Sequence, residues 1–366
     1  MERPALLKMM IFICLLTACN GREIKIKTGD NTTNFNHTLA LILAEYASAV
    51  YTVDLSELFS WTCARCNNLT MGFEVIELVV DIQNCLQAFV GVAPDPNAIV
   101  IAIRGTQENS VQNWIEDFIW QELDLKLPDM PGAMVCITAL SILHNNFKLN
   151  YKWCLVFWSQ VHRGLYGAYN NTSLRPAIVE AVDRIRESYG ELPVMATGHS
   201  MGGALVAFAA LDLVMNHGID NVHLMTFGQP RIGNAAFASC FYKYIPNTFR
   251  IVHNRDIVAH LPPYYSFYWK SYHHFPREVW LHDDIEQICD DSGEDPSCSR
   301  SVWICSINDH KTYYGLSMEA EDWSTCRIIM DRSLPYQTDV AGNIILAKDA
   351  IGPSIVKPIS QKAAAM

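Results

Sequence analysis

The chain has 366 residues, 50% of them hydrophobic, and a formal net charge of −11 at pH 7. This is enough apolar sequence to bury the core of one large α/β domain. The acidic balance argues against nucleic acid and anionic membranes as partners, because both are negatively charged and bind positively charged protein surfaces. It leaves neutral lipid, peptide and sugar substrates open.

The first 20 residues are predicted to be a secretory signal. Arg3 and Lys8 are basic, and the short apolar run Met9–Ala18 is followed by small and polar residues, which is the pattern of a cleaved signal peptide. The run is too short to cross a bilayer as a helix. We therefore expect a secreted or lumenal protein whose main domain covers residues 21–330. Five glycosylation sequons begin at Asn31, Asn36, Asn68, Asn170 and Asn171.

Strands and helices alternate along most of the chain. A helical apolar period covers residues 37–52, and the runs Phe73–Asp81 and Leu86–Val92 have the composition of strands. The β-branched run Asn97–Ile103 predicts a strand buried on both faces, as in a parallel sheet. There follow helices at Gln107–Trp120 and Ser173–Tyr189, a strand and helix around residue 200, a strand at Val222–Phe227, a helix at Asn234–Tyr244 and a strand at Thr248–His253. This alternation predicts an α/β fold with a mostly parallel central sheet flanked by helices.

Two segments do not follow this pattern. Residues 136–160 are apolar and rich in aromatic residues, contain no acidic residue and show no clean period. They form a hydrophobic flap, a membrane-contact element or an insertion of sequence foreign to the fold, and we favour the last interpretation. Residues 331–366, which proline and glycine interrupt, are predicted to form a loosely held C-terminal tail.

The segment Val194–Ala204 carries the strongest functional signal. An apolar run ends in Gly-His-Ser-Met-Gly at residues 198–202, and an alanine-rich helical pattern follows at once. This order of strand, sharp turn and helix is the context of a nucleophile elbow, although a glycine-rich turn that happens to contain a serine is an alternative. We predict that Ser200 is a nucleophile. The backbone N–H of Met201, at the start of the helix, is then an oxyanion donor.

A serine nucleophile needs a base and an orienting acid, which follow it in α/β-hydrolases in the order acid, then histidine. Asp256 comes just beyond the β-rich run at 248–253, where the acid of such a site is expected; an ion pair with Arg255 in a turn is the alternative. Pattern favours His310 as the base, since it follows the β-rich run Val302–Ile307, but leaves the other histidines open. The five candidate bases are His260, His273, His274, His282 and His310.

The motifs around these residues together resemble the class 3 lipases, the fungal-type triacylglycerol lipase family of the α/β-hydrolase superfamily. The resemblance covers about residues 37–326. It rests on the elbow, on the runs Thr226–Gly233, Asn254–Pro263, Pro276–Trp280 and Asp309–Gly315, and on Ile103–Thr106 with the Asn-Trp pair at 113–114. It implies an α/β-hydrolase fold with a short helical lid, in which Ser200 is the nucleophile, Asp256 the orienting acid and His310 the base.

The resemblance also implies the surroundings of the nucleophile. Thr106 becomes the second oxyanion donor through its backbone N–H, with its hydroxyl helping. The helix over residues 108–118 takes the family's lid position, where we expect Asn113, Trp114 and Ile115 to cover the site. An ordinary amphipathic surface helix is the alternative interpretation.

Ten of the twelve cysteines follow the predicted signal, and an oxidising compartment favours disulfides among them. Cys63 and Cys66 also have the spacing of a redox or zinc motif, but no second pair of ligands lies at a suitable spacing nearby, so structural bridging is favoured. The resemblance matches Cys63 with Cys66, and Cys289 with Cys298, to family disulfide positions. Cys326 matches as well, although its family partner falls at residue 50, 51 or 52 here. The pairing of Cys85, Cys240 and Cys305 stays open.

Together these features predict a carboxylic ester hydrolase that cleaves lipid esters through an acyl-serine intermediate and uses no metal or organic cofactor. The expected partner is a lipid ester at an interface, with peripheral lipid contact through the lid and no nucleic acid. A phospholipase, galactolipase or esterase of the same fold is the alternative among enzymes. A lipase-like binding or signalling protein that does not hydrolyse is the alternative from another class.

Overall fold

A computed structural model describes residues 35–66, 68–106, 123–126, 133–138, 152–157, 159–264, 271–283, 285–320, 328–331 and 334–348. The predicted signal at 1–20 and the predicted helix at Gln107–Trp120 lie outside these residues. Within the described part, no helix combines the length and the apolarity that crossing a membrane requires.

Six α-helices and sixteen strands are described. The helices are α1 (His37–Ala49), α2 (Leu55–Phe59), α3 (Arg163–Asn170), α4 (Leu174–Tyr189), α5 (Met201–Asn216) and α6 (Ala235–Tyr244). The strands are β1 (Glu74–Asp81), β2 (Leu86–Ala93), β3 (Ala98–Ile103), β4 (Leu123–Lys126), β5 (Ala133–Thr138), β6 (Lys152–Phe157), β7 (Gln160–His162), β8 (Val194–His199), β9 (Val222–Phe227), β10 (Thr248–His253), β11 (Glu278–His282), β12 (Ile285–Ile288), β13 (Thr312–Tyr313), β14 (Leu316–Ser317), β15 (Gln337–Thr338) and β16 (Ile344–Ala347).

Ten of these strands form one sheet in the order β12-β11-β10-β9-β8-β3-β2-β1-β16-β15. The five strands β3 and β8 to β11 are parallel to one another. Antiparallel strands extend the sheet at both edges. The predicted parallel centre is therefore confirmed, and the carboxyl ends of its strands meet at one edge of the sheet.

Helices cover both faces of the sheet, as predicted. In β3, Ile99, Ile101 and Ile103 face the cluster that contains α3 to α6, whereas Val100 and Ala102 face the cluster under α1 and α2. All six residues of β3 are buried, because side chains alternate between two covered faces. The central helix α5 is apolar around most of its surface and is buried from Gly202 to Leu213.

The C-terminal part of the chain corrects one prediction. The expected tail from residue 331 includes β15 and β16, and β16 pairs with β1 in the main sheet, with Leu78 opposite Leu346. Leu346 is fully buried in the core. The sheet therefore continues past the expected domain end at residue 330, at least as far as Ala347. Residues 349–366 lie outside the described residues.

The atypical segment 136–160 contributes to two small ladders. β5 and β6 pair with each other as an antiparallel ladder that places Cys136 opposite Cys154, and β7 pairs with β4. Residues 139–151 lie outside the described part, and the foreign origin of the segment stays a prediction. The β-rich run Val302–Ile307 also differs from expectation, because its one described ladder contact is an isolated bridge from Ser306 to Asp256.

Candidate active site

Ser200 lies on the turn between β8 and α5, at the carboxyl edge of the central sheet. Its backbone has φ 57° and ψ −131°, a conformation that costs energy for any residue with a side chain. The turn is tight because α5 approaches β3 closely. A Cβ atom at Gly202 would lie 2.0 Å from the carbonyl oxygen of Ile103, so only glycine fits there. The predicted elbow geometry is therefore present at Ser200.

Asp256 follows β10 and is fully buried. Its Oδ2 atom accepts hydrogen bonds from His310 Nδ1 at 2.7 Å and from the Tyr313 hydroxyl at 2.5 Å. Its Oδ1 atom accepts from the backbone N–H of Val258 at 2.8 Å. Burial alone would raise the pKa of Asp256, but the charge of His310 and these side-chain hydrogen bonds outweigh burial and lower it below its usual range. The group is therefore a carboxylate at neutral pH.

This arrangement fixes the orientation of His310. Since Nδ1 donates to a carboxylate, the neutral ring carries its lone pair on Nε2. Nε2 of His310 and Oγ of Ser200 are both buried and have no hydrogen-bond partner among the described residues. A buried pair of polar atoms without partners is unusual outside functional sites. The described protein groups therefore use neither the histidine lone pair nor the serine hydroxyl, and both are left for chemistry with a substrate.

A second hydrogen-bond chain, which the sequence did not predict, connects the elbow to His310. Nε2 of His199, the residue before Ser200, donates to the carbonyl oxygen of His310 at 2.8 Å. Its Nδ1 accepts from the Tyr51 hydroxyl at 2.7 Å, and that hydroxyl accepts from the backbone N–H of Gly105 at 3.1 Å. Burial and the charge of His310 hold the pKa of His199 well below its usual value. His199 therefore stays neutral and positions the serine, the histidine and the loop after β3 relative to one another.

The two predicted oxyanion donors lie side by side. Met201 is the first residue of α5. Thr106 follows β3, which lies next to β8 in the sheet. The Thr106 hydroxyl donates to the Met201 sulfur at 3.4 Å. The backbone N–H groups at a helix start have no intrahelical partner. The start of α5 therefore offers a donor next to Ser200.

The other four candidate bases have structural hydrogen bonds instead. His260 contacts the carbonyl oxygens of Asp256 and Ser299 with its two ring nitrogens, at 2.7 and 3.0 Å. Burial lowers its pKa, but the Cys305 side chain and these carbonyl groups outweigh burial and raise the pKa to about 9. Among the remaining three, His273 contacts the carbonyl oxygen of His274, and His274 contacts that of Ala259. His282 contacts the side chain of Gln287.

The structure also places the cysteines. Cys63 is bonded to Cys66, and Cys289 to Cys298, as the resemblance implied. Cys85 is disulfide-bonded as well, whereas Cys240 and Cys305 are free thiols. Cys326 and the predicted lid residues Asn113, Trp114 and Ile115 lie outside the described residues, so the lid stays a prediction.

One group of side chains has metal-ligand spacing within the described residues. It consists of Glu278, Cys289 and Cys298. Both sulfurs belong to the disulfide, so they are not thiolate ligands, and the group retains one carboxylate. Three ligands are the usual minimum for a zinc site. The group therefore does not fit a metal ion.

A parallel-centred sheet with a serine on the turn after β8, an acid after β10 and a histidine further along the chain defines an α/β-hydrolase. Comparison with known proteins shows which family the chain resembles. Residues 100–266 match the family described as Lipase (class 3). The chain is 28% identical to the lipase of Rhizomucor miehei over 269 residues, which cover 70% of this chain and 63% of that lipase. It thus spans less than two thirds of the length of this relative.

Solved structures agree with this match. A triacylglycerol lipase whose catalytic centre is described as a serine protease triad has 28% identity and a TM-score of 0.58, with 76% of this chain and 94% of that chain covered. The lipase of Rhizopus microsporus var. chinensis has 26% identity and a TM-score of 0.59, with 81% and 94% covered. The chain is thus similar to class 3 lipases in both sequence and fold.

Proposed function

We propose that the protein hydrolyses carboxylic esters of lipids through a covalent acyl-Ser200 intermediate. The observation that carries this proposal is the contact of His310 Nδ1 with the buried Asp256 carboxylate, which leaves Nε2 without a partner, as the hydroxyl of the strained elbow serine is also without one among the described residues. The same arrangement of nucleophile, base and acid performs acyl transfer on unrelated folds.

The reaction follows from these contacts. Nε2 of His310 takes the Ser200 hydroxyl proton while Oγ attacks the ester carbonyl, and Asp256 stabilises the imidazolium that forms. The backbone N–H groups of Met201 and Thr106 donate to the oxyanion. The intermediate expels the alcohol, which takes the proton from His310 and leaves the acyl group on Ser200. Water then attacks the acyl-enzyme with His310 again as the base, and the fatty acid is released.

The substrate class comes from the family. The chain's relatives are named as lipases, so a glycerol ester presented at a lipid interface is the proposed substrate. A phospholipase, galactolipase or soluble esterase uses the same three residues, since the acyl and headgroup preference lies in the shape of the pocket. These enzymes differ from a lipase in the substrates that they turn over and in their response to an interface.

The main test measures hydrolysis of short- and long-chain p-nitrophenyl and glycerol esters, below and above the solubility of each substrate. We expect activity that rises when the substrate aggregates, and a loss of about 10⁴-fold or more in Ser200→Ala and Asp256→Asn. Ser173→Ala is the matched control, because this buried hydroxyl lies at the start of α4 and forms no capping hydrogen bond. Activity confined to soluble short esters would indicate an esterase.

A covalent probe tests the nucleophile separately. A fluorophosphonate should add to Ser200, with release of fluoride, and mass spectrometry should find the adduct on the peptide that contains residue 200. His310→Ala should slow the labelling, because the hydroxyl then has no base. A folded protein that neither labels nor hydrolyses any ester would indicate the non-catalytic binding protein instead.

We also propose that residues 1–20 direct secretion, that the hydrolase domain starts at about residue 21, and that residues 136–160 are an insertion in this domain. Expression in a eukaryotic secretory host, followed by N-terminal sequencing and endoglycosidase treatment, tests the first two points. Deletion of 136–160 tests the third. Activity that is gained on deletion would identify the segment as an obstruction, whereas lost binding to lipid would identify it as a contact element.

A further inference from the structure

Three apolar side chains are exposed on the segment that leads into His310. Trp303 is 75% exposed, Ile304 is 74% exposed and Ile307 is 38% exposed. We refer to these three residues as the apolar rim. Single exposed apolar residues are common on proteins, but a cluster of large ones usually marks an interaction surface.

The apolar rim is fixed beside the acid of the proposed triad. The backbone N–H of Ser306 donates to the carbonyl of Arg255 at 2.7 Å, and the carbonyl of Ser306 accepts from the N–H of Ile257 at 3.2 Å. These two bonds hold the residues immediately before and after Asp256 against the segment that carries the rim. The carbonyl of Ile307 also accepts from the N–H of His310 at 3.1 Å. The rim therefore belongs to the same rigid unit as Asp256 and His310.

The charges around the rim indicate the kind of surface that fits it. Residues 301–308 contain no charged side chain, within a chain of net charge −11, and the neighbouring Arg255 is paired with Asp309 at 3.5 Å. An acidic protein is repelled by anionic lipid, and an uncharged segment gains nothing from charge pairing. Tryptophan favours the boundary between water and lipid, because its ring is large and apolar while its N–H remains hydrated. An uncharged lipid surface matches this segment better than an anionic one.

We propose that the apolar rim inserts into the surface of an aggregate of uncharged ester lipid and so docks the protein with Ser200 and His310 facing that surface. The identity of the lipid as a substrate rests on the proposed function. The contact itself does not require turnover, and it differs from the lid because it lies on the segment between Cys298 and His310.

The test compares binding of inactive protein to lipid. In a Ser200→Ala background, Trp303→Ser/Ile304→Ser is mixed with triolein droplets coated with phosphatidylcholine, and bound protein is separated by flotation. We expect the partition coefficient to fall about tenfold or more, since two large apolar side chains no longer leave water. The unfolding midpoint should stay unchanged because both side chains are exposed, and Ile304→Ser alone gives a smaller loss if the double variant folds poorly.

Leu69→Ser/Met71→Ser is the matched control. These side chains are 44% and 76% exposed and precede β1. Because β1 is antiparallel to β2 and β2 to β3, the start of β1 lies at the opposite edge of the sheet from Ser200. We expect this control to bind droplets as the unmodified chain does. Vesicles that contain phosphatidylserine should bind the protein more weakly than vesicles of phosphatidylcholine alone.

In the active protein, the rim variant should lose emulsion hydrolysis at limiting interfacial area and recover it at saturating area. Equal flotation of the rim variant and the control, or a preference for anionic vesicles, would overturn the inference. So would a dimer that the rim substitutions convert into a monomer, since the surface would then be a protein interface. If the protein hydrolyses no ester, the proposed function fails, but flotation of the inactive protein still decides whether the rim binds lipid.

Discussion

Gly228 offers the sharpest test of the active-site geometry. It follows β9 with φ +57°, and a Cβ atom there would lie 2.5 Å from Asp256 Oδ2, 2.8 Å from His310 Nδ1 and 2.8 Å from the Tyr313 hydroxyl. Ordinary contacts of a Cβ atom begin near 3.4 Å, so the methyl group overlaps these atoms by 0.6 to 0.9 Å (3.4 minus 2.8 and 3.4 minus 2.5). The Asp256–His310 pair must therefore move by about 1 Å in Gly228→Ala, and a displacement of that size costs about 10²-fold in rate.

Gly218→Ala separates this displacement from backbone strain. Gly218 has φ +64° and no heavy atom within 4 Å of the added Cβ position. Backbone strain should cost both variants about 1–2 kcal/mol of unfolding free energy, because an L-residue is strained in this region. Gly228→Ala should lose more than this, because its methyl group also displaces buried side chains. Only Gly228→Ala should lose kcat/KM.

The assay is kcat/KM for a p-nitrophenyl ester below its solubility limit, together with urea unfolding of each variant. A soluble substrate keeps interfacial binding out of the comparison. If Gly228→Ala retains kcat/KM within a few-fold of the unmodified chain, or if Gly218→Ala loses as much, then contact of Asp256 with His310 does not control the reaction and the reasoning is wrong.

Three further predictions concern hydrogen bonds and titration. Tyr313→Phe removes a donor to Asp256, so kcat/KM should fall about tenfold and the acid limb of its pH profile should move to higher pH. The variant should also lose about 1.5–3 kcal/mol of stability. Tyr169→Phe, the control, loses a buried hydroxyl bonded to another carboxylate and should show the same stability loss with an unchanged pH profile. The pKa of His274 lies well below its usual value. Its contribution to stability is therefore complete above about pH 6.5 and is lost as pH falls. The urea midpoint should drop between pH 7 and 5, and His274→Asn should flatten that drop. His260 has the opposite sign, since its pKa is raised to about 9. Its contribution to stability is complete below about 6.5 and is lost as pH rises, so the urea midpoint of the unmodified chain should fall between pH 7 and 9, and His260→Asn should flatten that fall. The same pH dependence in both proteins would contradict this assignment.

The parts of the site that a sequence predicts are those that local chemistry determines. The elbow is determined by a short run of residues, because Gly202, two residues after Ser200, is needed for the close approach of α5 to β3. Asp256 could be predicted because the end of a parallel strand is a place that the strand pattern itself identifies. The same pattern predicted the central strands and the helices that cover them.

The remaining features depend on contacts between distant parts of the chain. His310 follows an irregular segment that meets Asp256 through an isolated bridge, so its place could be inferred from family resemblance and not from a strand pattern. Tyr51 reaches His199 across 148 residues of sequence, and nothing near Tyr51 indicates this hydrogen bond. The strand Ile344–Ala347 has four residues, and a run this short is distinguished from a loop only by the sheet edge that it meets.

The pairing of β16 with β1 has a consequence for the synthesis of the protein. β1 has seven of its eight residues buried, and β16 covers the edge that would otherwise be open. A chain emerges from the ribosome from its N-terminus, so this edge stays unpaired until residues 344–347 have been made. An open apolar edge pairs readily with other chains. A premature stop just before Ile344 would leave Ser200, Asp256 and His310 in the product and yet yield an aggregating polypeptide.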